Sequence, residues 1–149
     1  MADHTMERSF TVVPDMASVS QVSDFLDSCL EEYQIPLRMG YSLKVVADEI
    51  FSNIVHYSGA KSAEILFVNG TDTVTLVFRD DGTAYNPLEA DAPDVTAGLE
   101  EREIGGLGLF MVKKMAQDIS YAYWEGKNQM TVTLSKTEKK KKLSLEDFV

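Results

Sequence analysis

A chain of 149 residues, 44% hydrophobic and 26% charged, fits a single globular domain with a buried core. No apolar run approaches the roughly 18 residues that span a bilayer, nothing reads as a signal peptide, and a single cysteine, Cys29, excludes an intrachain disulfide framework, so the expected setting is a reducing cytoplasm. Residues 1–135 hold nine Lys and Arg against 21 Asp and Glu, a body that repels phosphate backbones and argues against a direct nucleic-acid partner.

Phe10–Val13 form a short apolar stretch ended by Pro14, which predicts an edge strand. From Met16 to about Tyr33 apolar residues recur at Met16, Val19, Val22, Phe25, Leu26, Cys29 and Leu30, a helical period. Ile35-Pro36 breaks it. A second helix is predicted from about Gly40 to Tyr57, with a stripe of Leu43, Val46, Ala47, Ile50 and Ile54. Strands follow at Ala63–Asn69 and Thr73–Arg79, joined by a Gly70-Thr71-Asp72 turn. Asp81–Gly108 reads as a long acidic loop, a third helix covers about Leu109 to Asp118, and strands Ile119–Trp124 and Met130–Lys136 flank a turn at Glu125–Asn128. Helices and strands without a repeated βαβ pattern predict an α+β two-layer sandwich, with a mixed, mostly antiparallel sheet and the helices on one face. One domain is expected over residues 1–138, followed by a solvated Lys-rich tail over 139–149.

Candidate chemistry lies in three segments. On the second helix Glu49, Asn53 and His56 fall at i, i+4, i+7, one polar stripe beside the apolar face. An amide oxygen such as that of Asn53 suits Mg²⁺, and a carboxylate one turn earlier can deprotonate a nucleophile; a solvated helix face would look the same. The second segment, Arg79-Asp80-Asp81-Gly82-Thr83-Ala84-Tyr85-Asn86-Pro87, lies at the end of an apolar strand. Its carboxylate can accept a hydrogen bond from an exocyclic amine and its glycine permits close backbone approach, yet an ordinary Asp-Gly turn also fits. The third, Gly105-Gly106-Leu107-Gly108, opens a helix. Glycines there can present N–H groups to a phosphate or act as a hinge. No Gly-Lys-Ser/Thr follows, so it is not a P-loop, and Met111 stands where a dinucleotide fingerprint needs its third glycine.

The order of these segments, a metal-ligand helix, a strand ending in Asp-x-Gly, a long loop and Gly-x-Gly opening a helix, resembles the N, G1 and G2 boxes of GHKL ATPases. The stretches LKVVADEIFSNIVHYSGA, LVFRDDGTAYNPLEA and EIGGLGLFMVKKMAQDISY are most similar to those of the anti-sigma-factor serine kinases, over about Phe10 to Lys136. The resemblance implies Glu49 as catalytic base, Asn53 as Mg²⁺ ligand, Asp80 with Gly82 at the adenine amine, and Gly106 and Gly108 over the phosphates with Gly105 as hinge. It further implies Arg102 at the γ-phosphate and Thr131 near the adenine, with Thr133 as its rival. His56 corresponds to a histidine with a packing or hydrogen-bonding role.

ATP and Mg²⁺ are the implied cofactors. The implied partners are a STAS-type anti-anti-sigma protein, phosphorylated on serine, and a sigma factor sequestered by a homodimer. Aromatic Tyr121, Tyr123 and Trp124 crowd one late strand and point the dimer to the sheet. The alternative is a module of the same fold in which nucleotide only gates partner binding.

Overall fold

The computed structural model describes residues 6–89 and 104–137, with side chains from residue 108 onward in the second span. The expected edge strand is β1 (Met6–Val12). Pro14 ends it, and Asp15 then opens the next helical segment: its Oδ1 accepts from Ser18 N at 2.8 Å while Ser18 Oγ accepts from Asp15 N at 3.0 Å, a reciprocal cap. One 3₁₀ turn (Met16–Ser18) leads into α1 (Val19–Glu32). That turn points Met16 into solvent, so the buried stripe is Val22, Phe25, Leu26 and Cys29 without it.

Helix α2 (Leu37–Asn53) starts three residues before the expected Gly40, directly after Pro36 at its N-cap. Its early turn was not legible because Leu37 and Tyr41 there are exposed, which leaves no apolar period to read. Downstream, Leu43, Val46, Ala47 and Ile50 are buried as the period requires. The helix does not run on to Tyr57 in α geometry. It widens after Asn53 into a five-residue π turn, Ile54–Ser58, closed by Gly59 in the left-handed region (φ 65°).

Strands β2 (Ala63–Asn69), β3 (Thr73–Asp80), β4 (Asp118–Trp124) and β5 (Lys127–Ser135) join β1 in one sheet of order β1-β2-β3-β5-β4. All four pairings are antiparallel, so the mixed sheet resolves into a purely antiparallel one. Strict alternation puts Ala63, Ile65, Phe67, Val74, Leu76, Phe78, Met130, Val132 and Leu134 on the buried face under the helices. The other face sets polar pairs around Leu66, Val68 and the buried Val77: Arg79 Nε donates to Gln129 at 2.7 Å and its Nη1 to Glu64 at 3.3 Å, and the Thr75 and Thr133 hydroxyls meet at 3.1 Å.

Two differences from the sequence reading matter for the site. Helix α3 spans Ile104–Met115, so the glycine segment forms its first turns and is not a loop ahead of it. And the β4–β5 turn is only Glu125-Gly126, both at positive φ (51° and 76°), a two-residue hairpin. Asn128, read as a turn residue, therefore belongs to β5 and pairs with Asp80. The Lys-rich tail and residues 90–103 of the acidic loop lie outside the described residues, and among the described residues no helix is long and apolar enough to cross a membrane.

Candidate functional site

A cleft opens between the C-terminal half of α2 and the ends of β3, β4 and β5. Ile50, Asn53, Ile54 and Ser58 form its helical wall; Phe78, Asp80, Tyr121, Asn128 and Met130 form its floor from the sheet; Tyr85 and Pro87 close one side. The wall is largely apolar with a few converging polar groups, the usual character of a small-molecule site.

At the sheet end, Asp80 is buried (4% exposed) at the last position of β3. Its Oδ1 accepts from Gly82 N at 2.9 Å and from Asn128 Nδ2 at 3.0 Å. The neighbouring carboxylate does other work: Asp81 Oδ1 accepts from Lys61 N (2.8 Å) and Ser62 N (3.0 Å), and these backbone donors hold its carboxyl below the usual range. Of the Asp80-Asp81 pair, one therefore caps a loop and the other faces the cleft. Gly82 is required sterically, since a Cβ there would lie 2.3 Å from Ser58 O. Thr83 N donates to that same carbonyl at 2.8 Å, so the π turn and the Asp80–Gly82 turn are locked together. Ser58 Oγ, in turn, donates to Ile54 O at 2.8 Å and closes the wide turn from inside.

At the helix end, Asn53 is buried and lines the cleft. Glu49 sits one turn earlier. Its Oε2 is buried with no hydrogen-bond partner among the described residues. Burial pushes the Glu49 carboxyl up to about 7, helped by the Asp48 charge and opposed by hydrogen bonding from Asn53. Its cover is Gly108 of α3, where a Cβ would fall 1.9 Å from Glu49 Oε1. Among the described residues no three His, Cys, Asp or Glu side chains converge. A Mg²⁺ at the Asn53 oxygen would thus draw its other ligands from phosphate and water, as that ion commonly does. A carboxyl with one oxygen unpartnered among the described residues, beside a buried amide whose cleft holds a second carboxylate at its far end, fits a Mg²⁺–nucleotide.

The cleft brings Asn53 and Asp80 together, with Gly82 packed behind its lining against Ser58, while Glu49 and Gly108 meet each other one helical turn before Asn53. Thr131 is not part of it. With the two-residue turn, Asn128 and Met130 face the helices, so Thr131 faces away and pairs with Val77 and Ser120 on the polar side. Thr133 lies on that same far face, against Thr75. His56 also leaves the expected stripe, because the π turn rotates it outward, where its Nδ1–H donates to Ser52 O at 2.8 Å. Gly105 and Gly106 lie in the first turn of α3, and Arg102 lies outside the described residues. Tyr121 lines the cleft, so the aromatic surface on the far face reduces to Trp124, 68% exposed.

Unanticipated members are Asn128, Tyr121 and Ser58, while Tyr85 belongs to the second candidate segment without a role assigned to it. Asn128 could have been found by carrying the Met130–Val132–Leu134 alternation back one further step.

A two-layer fold with this cleft defines a nucleotide-binding ATPase of the GHKL type, and the family profile described as a histidine kinase-like ATPase domain matches residues 12–136. The chain belongs to that family. It is similar to the serine/threonine-protein kinase BtrW of Bordetella bronchiseptica, with 32% identity over 100 residues that cover 64% of this chain and 70% of the relative.

Proposed function

We propose that the protein binds ATP with Mg²⁺ and transfers a phosphoryl group to a serine of a STAS-type anti-anti-sigma protein, with sequestration of a sigma factor by a homodimer as the other arm of a partner switch. The observation that carries the reading is Glu49: a half-buried side chain with one oxygen buried and unpartnered among the described residues, its carboxyl pushed up to about 7 by burial, one helical turn before the Asn53 amide. When bound, ATP·Mg²⁺ would supply the γ-phosphoryl group, its bond to the β,γ-bridging oxygen breaking and ADP leaving. In this reading Asp80 accepts the adenine amine, the Asn53 oxygen holds the metal, and the glycines of α3 approach the phosphates. Glu49 takes the proton from the serine hydroxyl as that oxygen becomes the new phosphoester oxygen, which is general-base work worth about 10²–10⁴ in rate. Trp124 on the open sheet face supports the dimer.

One observation favours the alternative, a module whose partner affinity is gated by nucleotide without transfer: Gly108 packs directly on Glu49 and covers it. The deciding assay incubates γ-labelled ATP with a purified STAS-domain partner, comparing wild type with Glu49→Ala. Labelling by wild type and none by Glu49→Ala, with ATP affinity nearly equal, is the expected result. ATP-dependent partner binding without label in wild type would establish the gated module instead, and equal labelling by both proteins would remove Glu49 as the base.

A further inference from the structure

The buried side chain with the most complete hydrogen bonding in the cleft is one that the reaction does not touch. Asn128 is 5% exposed. Its Nδ2 donates to Asp80 Oδ1 at 3.0 Å and to Thr83 O at 2.9 Å. Its Oδ1 accepts from Tyr85 N at 3.0 Å and from the Tyr121 hydroxyl. The chemistry of these neighbours fixes the amide's orientation: a carboxylate and a carbonyl only accept, so the NH₂ must face them, and a backbone N–H only donates, so the oxygen must face it. Burial raises the Tyr121 hydroxyl above its ordinary range, which keeps the proton it donates. Only an amide offers two donors and an acceptor of this shape. Aspartate could not donate to Asp80, and serine is too short to serve all four partners.

We infer that Asn128 is a positioning residue for base selection: by holding Asp80 Oδ1, with the Gly82 N–H on the same oxygen, it turns Oδ2 of that carboxylate toward the cleft as the acceptor for the exocyclic amine of the nucleotide base. Both hydrogen bonds that the described residues give Asp80 fall on Oδ1, so the carboxylate's second oxygen is the one left for a ligand. The clasp also ties down the loop that carries Tyr85, whose ring lies 5.6 Å from that of Tyr57 beside the cleft. This inference rests on the reading of Asp80 as the amine acceptor.

The test is calorimetric binding of ATP and of purine riboside triphosphate, which lacks the 6-amino group, to wild type, Asn128→Ala and Asn128→Asp, each checked by thermal melting. Wild type is expected to prefer ATP by about 10–150-fold, the worth of a hydrogen bond to a charged group. In Asn128→Ala that preference collapses to about threefold or less, because ATP weakens while the analogue's affinity changes little. Asn128→Asp keeps the shape and sets a like charge against Asp80, so it also loses the preference and serves if the alanine variant does not fold. A folded variant that weakens both ligands equally and keeps the preference, or that leaves both affinities unchanged, overturns the inference and leaves the Asp80 reading standing. No preference in wild type overturns the Asp80 reading and the inference with it.

Discussion

The sheet end of the cleft and the helix turn beside its other wall are built on opposite principles. At the sheet end every polar group of Asn128 is engaged, and Asp80 has one oxygen held twice. One turn before Asn53 the half-buried Glu49 has an oxygen with no partner among the described residues, and a bare glycine backbone is pressed against it. A saturated network is rigid and suits recognition of a fixed shape. A buried, under-satisfied carboxyl costs stability, and such costs are tolerated where the group does chemistry. Under the proposed function, the difference separates a part that identifies the ligand from a part that reacts with it.

The sharpest way to break this contrast is Gly108→Ala. Alanine is the better helix former by about 1 kcal/mol, so propensity alone predicts a gain in stability. Its Cβ, however, would occupy the place of Glu49 Oε1, 1.9 Å away, and what it meets is the end of a flexible side chain. The fold should survive and the carboxyl should move. Phosphate transfer is expected to fall by about 100-fold or more, with a melting temperature no lower than wild type; unchanged transfer would show that Glu49 needs no glycine above it.

Next in size is Asp80→Asn at the recognition end. The amide cannot accept equally at both positions, and ATP affinity should drop by about 10–150-fold with the fold intact. Equal wild-type affinities for ATP and GTP, whose ring carries a carbonyl at that place, would contradict the assignment.

A smaller effect concerns pH. The Glu49 carboxyl titrates near 7 in the folded protein against an ordinary 4.5. The unfolded chain therefore ionises first, and the stability contributed by the neutral carboxyl is complete below about 4.5, is lost as pH rises to about 7, and stays lost above it. Glu49→Gln removes that dependence. At pH 8 it should melt about 2–4 °C above wild type, a gain of about 1 kcal/mol once solvent screening of a half-buried group is allowed for. At pH 4.5 the gain should vanish. Wild-type transfer should rise through pH 7 as the base ionises. The smallest change expected is Glu64→Gln on the open face, where a half-exposed pair with Arg79 at 3.3 Å should shift denaturant stability by less than about 0.5 kcal/mol.

How far the sequence revealed all this varies by element. Apolar periods are strong where a face is buried, so α1, the body of α2 and the β2–β3 hairpin are legible from Val22, Leu43 and the Gly70-Thr71-Asp72 turn. They fail where burial and structure part company. Leu37 is helical and exposed, and the glycines of α3 are helical although glycine is a poor helix former. The π turn after Asn53 has no local signature, because Ile-Val-His-Tyr fits an ordinary helix equally well, and so the displacement of His56 could not be foreseen. The polar partners of Asp80 were invisible for a geometric reason: they depend on which residue of β5 lies opposite the end of β3, and that register is set by the length of a turn.

The turn Glu125-Gly126 therefore carries more than a change of direction. Side chains alternate along β5, so the number of residues in the turn sets a parity. With two, Asn128 and Met130 face the helices and the lysine at 127 does not. One residue inserted between β4 and β5, if absorbed by sliding the strand, would exchange the two sets and present Lys127 and Gln129 to Asp80 in place of the amide. Length variation in this hairpin is thus tolerable only in even steps, or where the extra residue loops out and leaves the ladder in phase.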